Sequence, residues 1–264
     1  MAALKSFDKS KLLDSTAVTD GVFRLEFAWP GPPPKAGQFF MIKPERSSVF
    51  LSRPVSVESF GGGRLRFLIA VRGRGTGELA AMRAGESAGL SGPLGNCWED
   101  FLPRKTDGGG AKAVALVAGG AGIAPLSSLA AAFPDWEFDY YLGVRTAFKN
   151  AAEESAFLGE AALHHRRLLV ASENGGGRRG LVTGFFDPAE YPLVFACGPG
   201  AMLKAVAAMC REAAVPCRVS LERRMACGVG ACLGCTVVTA GGNRRCCADG
   251  PIFKAEELVF DERQ

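Results

Sequence analysis

In the first hundred residues apolar side chains recur at every second position. Phe23, Leu25 and Phe27 are separated by Arg24 and Glu26, and Leu65, Phe67, Ile69 and Val71 keep the same rhythm. This is the period of a strand with one buried face. Gly and Pro clusters at 30–34, 61–63 and 92–95 punctuate the runs, as turn residues do. Short strands at such spacing predict a small antiparallel β-barrel, with one helical stretch over 76–84.

After a polar, Gly-rich stretch at 103–110 the rhythm changes. Continuous apolar runs at 113–118, 138–142, 168–171 and 193–197 alternate with helical patterns, one starting at Pro125 and one carrying Met202, Val206 and Met209. Strands alternating with helices predict a parallel α/β domain. From about Pro216 the chain becomes rich in Cys and Gly. The expected fold class is therefore multi-domain β plus α/β, with a barrel at 1–103, a parallel α/β domain at 104–215 and a small third segment at 216–264.

Composition narrows the possibilities. With 48% hydrophobic and 22% charged residues, the chain has the make-up of a folded protein. Its 31 basic and 27 acidic residues leave +4, too mild for a nucleic-acid partner, and no basic run is interleaved with aromatics. No stretch reaches the roughly 18 apolar residues of a membrane span, and the N-terminus lacks the apolar core of a signal peptide. A reducing, cytoplasmic location is expected, in which nine cysteines are not read as disulfides.

Four of those cysteines crowd together. Cys227, Cys232 and Cys235 lie in C-G-V-G-A-C-L-G-C, and a fourth ligand follows at Cys246 or Cys247. The C-x4-C-x2-C spacing with a later cysteine is that of a plant-type [2Fe–2S] cluster. Gly228, Gly230 and Gly234 let the backbone wrap closely around it. A structural zinc site is the alternative, but such sites more often pair two C-x2-C knuckles, and only one is present. If the segment is extended, adjacent side chains point opposite ways, so only one of Cys246 and Cys247 faces the cluster. Cys97, Cys210 and Cys217 read as buried small hydrophobes.

Two glycine turns follow predicted strands. V-A-G-G-A-G-I-A-P carries Gly119, Gly120, Gly122 and Pro125, and C-G-P-G-A-M-L carries Cys197, Gly198 and Pro199. Both would lie at the carboxyl edge of one parallel sheet, where such folds bind ligands. A plain tight turn explains each equally well, and Pro125 suits a first helical turn on structural grounds alone.

Together with R-P-V-S (Arg53, Pro54, Val55, Ser56), these motifs resemble the ferredoxin–NADP reductase superfamily. The likeness narrows through G-R-G-T (with Gly75 and Thr76), G-P-L-G-N, L-E-R-R-M-A-C-G-V-G-A-C and C-A-D-G-P-I-F, which are similar to the electron-transfer subunits of two-subunit, NAD-linked dihydroorotate dehydrogenases. It runs along nearly the whole chain. The resemblance implies an FAD held by Arg53, Pro54, Val55, Ser56, Ile69, Gly75 and Thr76. It implies NAD at the two glycine turns, Cys197 near the reacting rings, and Cys247 as the fourth cluster ligand because it precedes x-Asp-Gly-Pro. The barrel, the α/β domain and the tail would then bind FAD, NAD and [2Fe–2S] respectively.

The same resemblance implies a role in pyrimidine biosynthesis. Electrons would pass from an FMN-containing catalytic subunit through the cluster and FAD to NAD+, in a heterotetramer with two copies of each subunit. Reductase subunits of sulfide dehydrogenases, hydrogenases or ferredoxin–NADP transhydrogenases share the modules, and a zinc-stabilised binding module without redox activity is a reading from another class. The chain departs from the family pattern at Cys97–Trp98, where Gly usually follows G-P-L-G-N. It departs again at G-G-A-G and at 172–177, where Glu173 stands in place of an acidic pair.

Overall fold

A computed structural model describes residues 6–102 and 113–260. The Gly-rich stretch expected to join the first two domains lies outside the described residues. Six strands close the barrel: β1 (Ser6–Thr19), β2 (Val22–Ala28), β3 (Phe39–Pro44), β4 (Arg53–Gly61), β5 (Arg64–Ala70) and β6 (Ser87–Leu94), in the order β1-β2-β5-β4-β3-β6. The alternation places Leu25, Phe27, Leu65 and Phe67 inside, fully buried with Phe40, Ile42 and Leu90. Phe40 meets Trp29 and Phe67 edge-on at 4.8 and 5.8 Å. Each such side chain contributes about 1.5–3 kcal/mol on burial. Helix α1 (Arg74–Ala80) follows β5 and inserts Leu79 into the same core.

The second sheet runs β9-β8-β7-β10-β11 in parallel, with β14 antiparallel at its edge. Its strands are β7 (Val114–Gly119), β8 (Phe138–Thr146), β9 (Arg167–Asn174), β10 (Val194–Cys197), β11 (Cys217–Ser220) and β14 (Ile252–Lys254). Helices α2 (Ala124–Ala132) and α3 (Ala151–Leu158) cover one face, where Leu126, Leu129 and Phe157 meet Leu116 and Tyr140. Helix α4 (Gly200–Glu212) covers the other, with Leu203 and Val206 against Val117 and Tyr141. Burial on both faces is why these strands read as continuous apolar runs.

The tail adds a hairpin, β12 (Thr236–Thr239) and β13 (Gly242–Arg245), and a single helical turn α5 (Cys246–Asp249). Strands β11 and β14 both follow residue 216, so the tail supplies two strands of the α/β sheet. The Asn96 side chain ties the barrel to this edge. Its Nδ2 donates to Ile252 O at 2.8 Å, and its Oδ1 accepts from Ile252 N at 3.0 Å. Asn96 N donates to Gly250 O at 2.7 Å. G-P-L-G-N and C-A-D-G-P are thus two halves of one junction.

Two further contacts fix the barrel on the α/β sheet. Trp98 is fully buried, stacks on Phe195 at 4.8 Å and donates from Nε1 to Pro125 O at 2.8 Å. The Cys97–Trp98 departure is therefore an inter-sheet plug. Arg24 is gripped by Glu58 through two hydrogen bonds of 2.7 Å and donates to Ala156 O, near the end of α3, at 2.6 Å. At the amino edge of the sheet the buried Asp139 accepts from Arg166 at 2.9 and 2.5 Å and from Tyr191 at 2.8 Å.

Candidate functional site

The strand order reverses its direction of winding between β7 and β10, since β8 and β9 lie to one side and β11 to the other. Ligands of such sheets bind at that point, beyond the carboxyl ends. Both glycine turns lie there, and they press on each other. A Cβ on Gly119 would stand 2.5 Å from Pro199 Cδ, one on Gly122 would stand 2.6 Å from the Cys197 carbonyl carbon, and one on Gly198 would stand 2.8 Å from Gly119 N. These three glycines are needed for the turns to meet at all. Gly120 differs: its φ is +52 and nothing lies within 4 Å of a Cβ there, so it faces open space at the edge. Pro125 sits inside α2 with its carbonyl taken by Trp98 and Ser128.

On the barrel, Arg53 opens β4 and lies against the turn that starts α1. A Cβ on Gly75 would come within 2.7 Å of the guanidinium carbon. Arg53 donates only to Ser52 O, at 3.3 Å, and has no acidic partner among the described residues. A half-buried guanidinium without a carboxylate, beside a glycine backbone, suits a phosphate-bearing ligand. Thr76 Oγ accepts from Arg72 N and Gly73 N at 2.9 and 3.2 Å, so its hydroxyl braces the turn and its backbone is what remains for a ligand. Val55 and Ile69 belong to the barrel core and can offer a flavin only main chain. Pro54 and Ser56, on the opposite face of β4, are half-buried.

Between the two halves lies Cys197, at the end of β10. Burial pushes its thiol well up, Glu222 adds to the rise, and a hydrogen bond with Ser220 opposes it. Glu222 itself, just past β11, keeps an exposed surface although protein surrounds its carboxyl. That desolvation raises its carboxyl, with Arg72, in the turn between β5 and α1, acting in the opposite sense. A cleft of 310 Å3 between β4, β5 and α2 contains none of the motif residues.

The cysteine loop packs on the barrel. Gly228 and Gly230 adopt positive φ, 68 and 81, and a Cβ on Gly228 would meet Met41 Cγ at 2.7 Å. Two thiol pairs form, Cys227 with Cys232 and Cys235 with Cys247. Backbone N–H groups point at the sulfurs: Val229 N and Cys232 N at Cys227 Sγ, both 3.4 Å, Cys247 N at Cys235 Sγ, 3.4 Å, and Gly230 N at Cys247 Sγ, 3.1 Å. Burial opposes ionisation of Cys227, but the N–H groups of Val229 and Cys232 bring its thiol to about 6. Burial, with Cys235 beside it, pushes Cys247 up to about 12.

Among the described residues no three His, Cys, Asp or Glu side chains converge as one metal ion would require. Two pairs of thiols suit a two-iron cluster better than a zinc ion, because each iron takes two cysteines. The segment holding Cys246 and Cys247 is helical, not extended as expected. The two thiols still diverge, since adjacent helical residues do not share a face: Cys246 Sγ lies 3.4 Å from Leu221 O, away from the loop. All nine cysteines are free thiols, and Cys97, Cys210 and Cys217 are buried.

Known proteins match this architecture. The family model for the iron–sulfur cluster binding domain of dihydroorotate dehydrogenase B covers residues 222–259. The electron transfer subunit of dihydroorotate dehydrogenase B (NAD(+)) from Clostridium acetobutylicum is 34% identical, over 98% of this chain and 99% of that protein. The one from Clostridium perfringens is 37% identical, over 96% and 98%. A solved NADH-dependent reduced ferredoxin–NADP oxidoreductase superposes with a TM-score of 0.77 at 28% identity, over 99% of this chain and 92% of that one. A ferredoxin–NADP+ reductase from Neisseria gonorrhoeae with bound FAD and NADP shares the fold, with a TM-score of 0.61 at 19% identity, over 78% and 91%. With its barrel, switch point and thiol pairs in that arrangement, the chain belongs to the dihydroorotate dehydrogenase B electron-transfer subunit family, a flavin, [2Fe–2S] and NAD-dependent oxidoreductase family.

Proposed function

We propose that this chain relays electrons from an FMN-containing dihydroorotate dehydrogenase catalytic subunit to NAD+ in pyrimidine biosynthesis, in the cytoplasm, as half of a heterotetramer with two copies of each subunit. Cys227, Cys232, Cys235 and Cys247 hold the [2Fe–2S] cluster. Arg53 neutralises the flavin diphosphate, Gly75 and Thr76 offer main chain to it, and Pro54 and Ser56 border the ring. Gly119, Gly120, Gly122, Gly198 and Pro199 shape the nucleotide seat. When bound, the cluster passes single electrons and the flavin exchanges one or two, which lets single-electron entry feed a hydride exit.

The chain's own residues arrange that exchange. The turns at Gly119 and Gly198, packed on each other, shape the sheet edge on which a nicotinamide would sit. Burial holds the Cys197 thiol protonated, so it adds no negative charge at that edge. Val229 and Leu233 flank Cys232 with exposures of 51% and 62%, an apolar rim that a partner subunit would cover.

The observation that carries the reading is the packing of the cysteine loop on Met41 and Leu94 of the barrel that bears Arg53. The test is an anaerobic spectrum of the purified chain, with iron, labile sulfide and released flavin counted, followed by reconstitution with the catalytic subunit. Two irons, two sulfides and one FAD per chain are expected, as is NAD+ reduction by dihydroorotate only in the reconstituted pair. Zinc without flavin would overturn the reading. A different co-purifying catalytic subunit would favour a related reductase.

A further inference from the structure

Phe50 is the most exposed large apolar residue described, at 88%. It does not stand on a loose loop. Lys43 Nζ donates to Phe50 O at 2.9 Å and lies 5.7 Å from the ring centroid. Ser47 Oγ donates to Glu78 Oε2 at 2.5 Å, Ser48 N donates to Glu78 Oε1 at 3.2 Å, and the Ser48 hydroxyl donates to the same oxygen. Glu78 belongs to α1, the helix that begins at the Gly75 turn. The loop between β3 and β4 is therefore fastened to the same element that presents Gly75 to Arg53. A fixed backbone carrying a free aromatic face is the arrangement of a stacking platform.

We propose that Phe50 stacks on the adenine of FAD and selects FAD over FMN. The proposal rests on the reading of Arg53 and Gly75 as the diphosphate seat. Phe50 lies three residues before Arg53, a reach of at most about 10 Å, which one nucleoside beyond the diphosphate can span. Lys43 adds a positive charge on that path. A protein partner is a poorer occupant, because the exposed apolar surface here is a single ring with Leu51 beside it, at 40% exposure, smaller than the contiguous patches that mark protein interfaces.

The test compares FAD and FMN dissociation constants of the full-length chain, cluster in place and flavin removed, for wild type, Phe50→Ala and Phe50→Tyr. Because the ring makes so little contact, Phe50→Ala leaves thermal stability unchanged. FAD binding should weaken by roughly 5- to 150-fold, the range set by about 1–3 kcal/mol of base–aromatic stacking. FMN binding should not change, and Phe50→Tyr should bind FAD as wild type does. Equal weakening of both flavins, or of neither, would overturn the proposal. So would loss of partner association at unaltered FAD affinity. If wild type itself bound FMN as tightly as FAD, the FAD reading would fail instead.

Discussion

Gly122→Ala tests whether the two glycine turns must touch. The added methyl would stand 2.6 Å from the Cys197 carbonyl carbon and 3.0 Å from Gly198 N, against an ordinary contact of about 3.5–4.0 Å. Both neighbours are backbone, so no side-chain rotation relieves the clash, and the β10 turn must retreat by about 1 Å. Overpacking of this kind costs about 1–3 kcal/mol, and 2 kcal/mol lowers the melting temperature by roughly 4–8 °C in a chain of this size. Function should suffer more. A displacement of about 1 Å in a positioned reactant costs on the order of 100-fold in rate, and the moved atoms include Cys197 and the proposed nicotinamide seat. The assay is NADH oxidation with an artificial acceptor by chain whose flavin and iron contents match wild type. Wild-type turnover together with a wild-type melting temperature would refute the reasoning. Gly120→Ala is the companion: with open space around its Cβ and φ of +52, it should cost only about 1–2 kcal/mol of backbone strain.

Other expectations follow from the same geometry. Cys247→Ser should lose the cluster's iron and labile sulfide, whereas Cys246→Ser, with its thiol on Leu221 O, should retain both; the reverse pattern would reassign the fourth ligand. Arg53→Ala should weaken FAD binding by roughly 10- to 150-fold, the worth of a charge-assisted hydrogen bond of about 1.5–3 kcal/mol. Arg53→Lys should restore only part of it, since an ammonium lacks the planar fork, and unaltered binding in both variants would exclude Arg53 from the seat. Asp139→Asn should cost about 1.5–3 kcal/mol at neutral pH. The guanidinium of Arg166 and the Tyr191 hydroxyl outweigh burial and hold the Asp139 carboxyl below its usual value. Its contribution is therefore complete above an unfolded value of about 3.9 and lost as pH falls through the lower folded value. The gap between wild type and variant, read from urea titrations, should be flat above about pH 5 and close below about pH 4; a gap that widens on acidification would contradict this.

The sequence displayed its barrel and sheet where one residue's environment follows from its neighbours'. Phe23 to Phe27 alternate because β2 has one wet and one dry face, and 113–118 is apolar throughout because β7 is covered on both. Strand β1 was not legible, since Lys9, Lys11 and Asp14 interrupt any period and it is held by backbone pairing to both β2 and β6. Helix α3 was missed because Ala-Ala-Glu-Glu carries almost no apolar stripe. The structure instead shows Asn150 capping it by accepting from Glu153 N at 2.9 Å. In the site, close-approach glycines and cysteines stood out because few residues can replace them. Trp98 and Asn96 were noticed only by resemblance, and their joining roles were not legible because their partners Phe195 and Ile252 are distant in sequence. The divergence expected of Cys246 and Cys247 rested on an extended chain where one helical turn stands, and the Cys246 thiol turns to Leu221 O all the same.

The junction between Asn96 and Ile252 has a bearing on electron tunnelling. The cysteine loop is followed within a few residues by a strand locked into one sheet and hydrogen-bonded to the barrel, so no flexible tether separates the proposed cluster site from the proposed flavin seat. The gap an electron must cross is thus set by packed backbone, and a swinging-arm search has no place in the transfer. Its rate should be insensitive to solvent viscosity, and the iron–sulfur segment cannot be excised or grafted as an independent cassette without opening the α/β sheet.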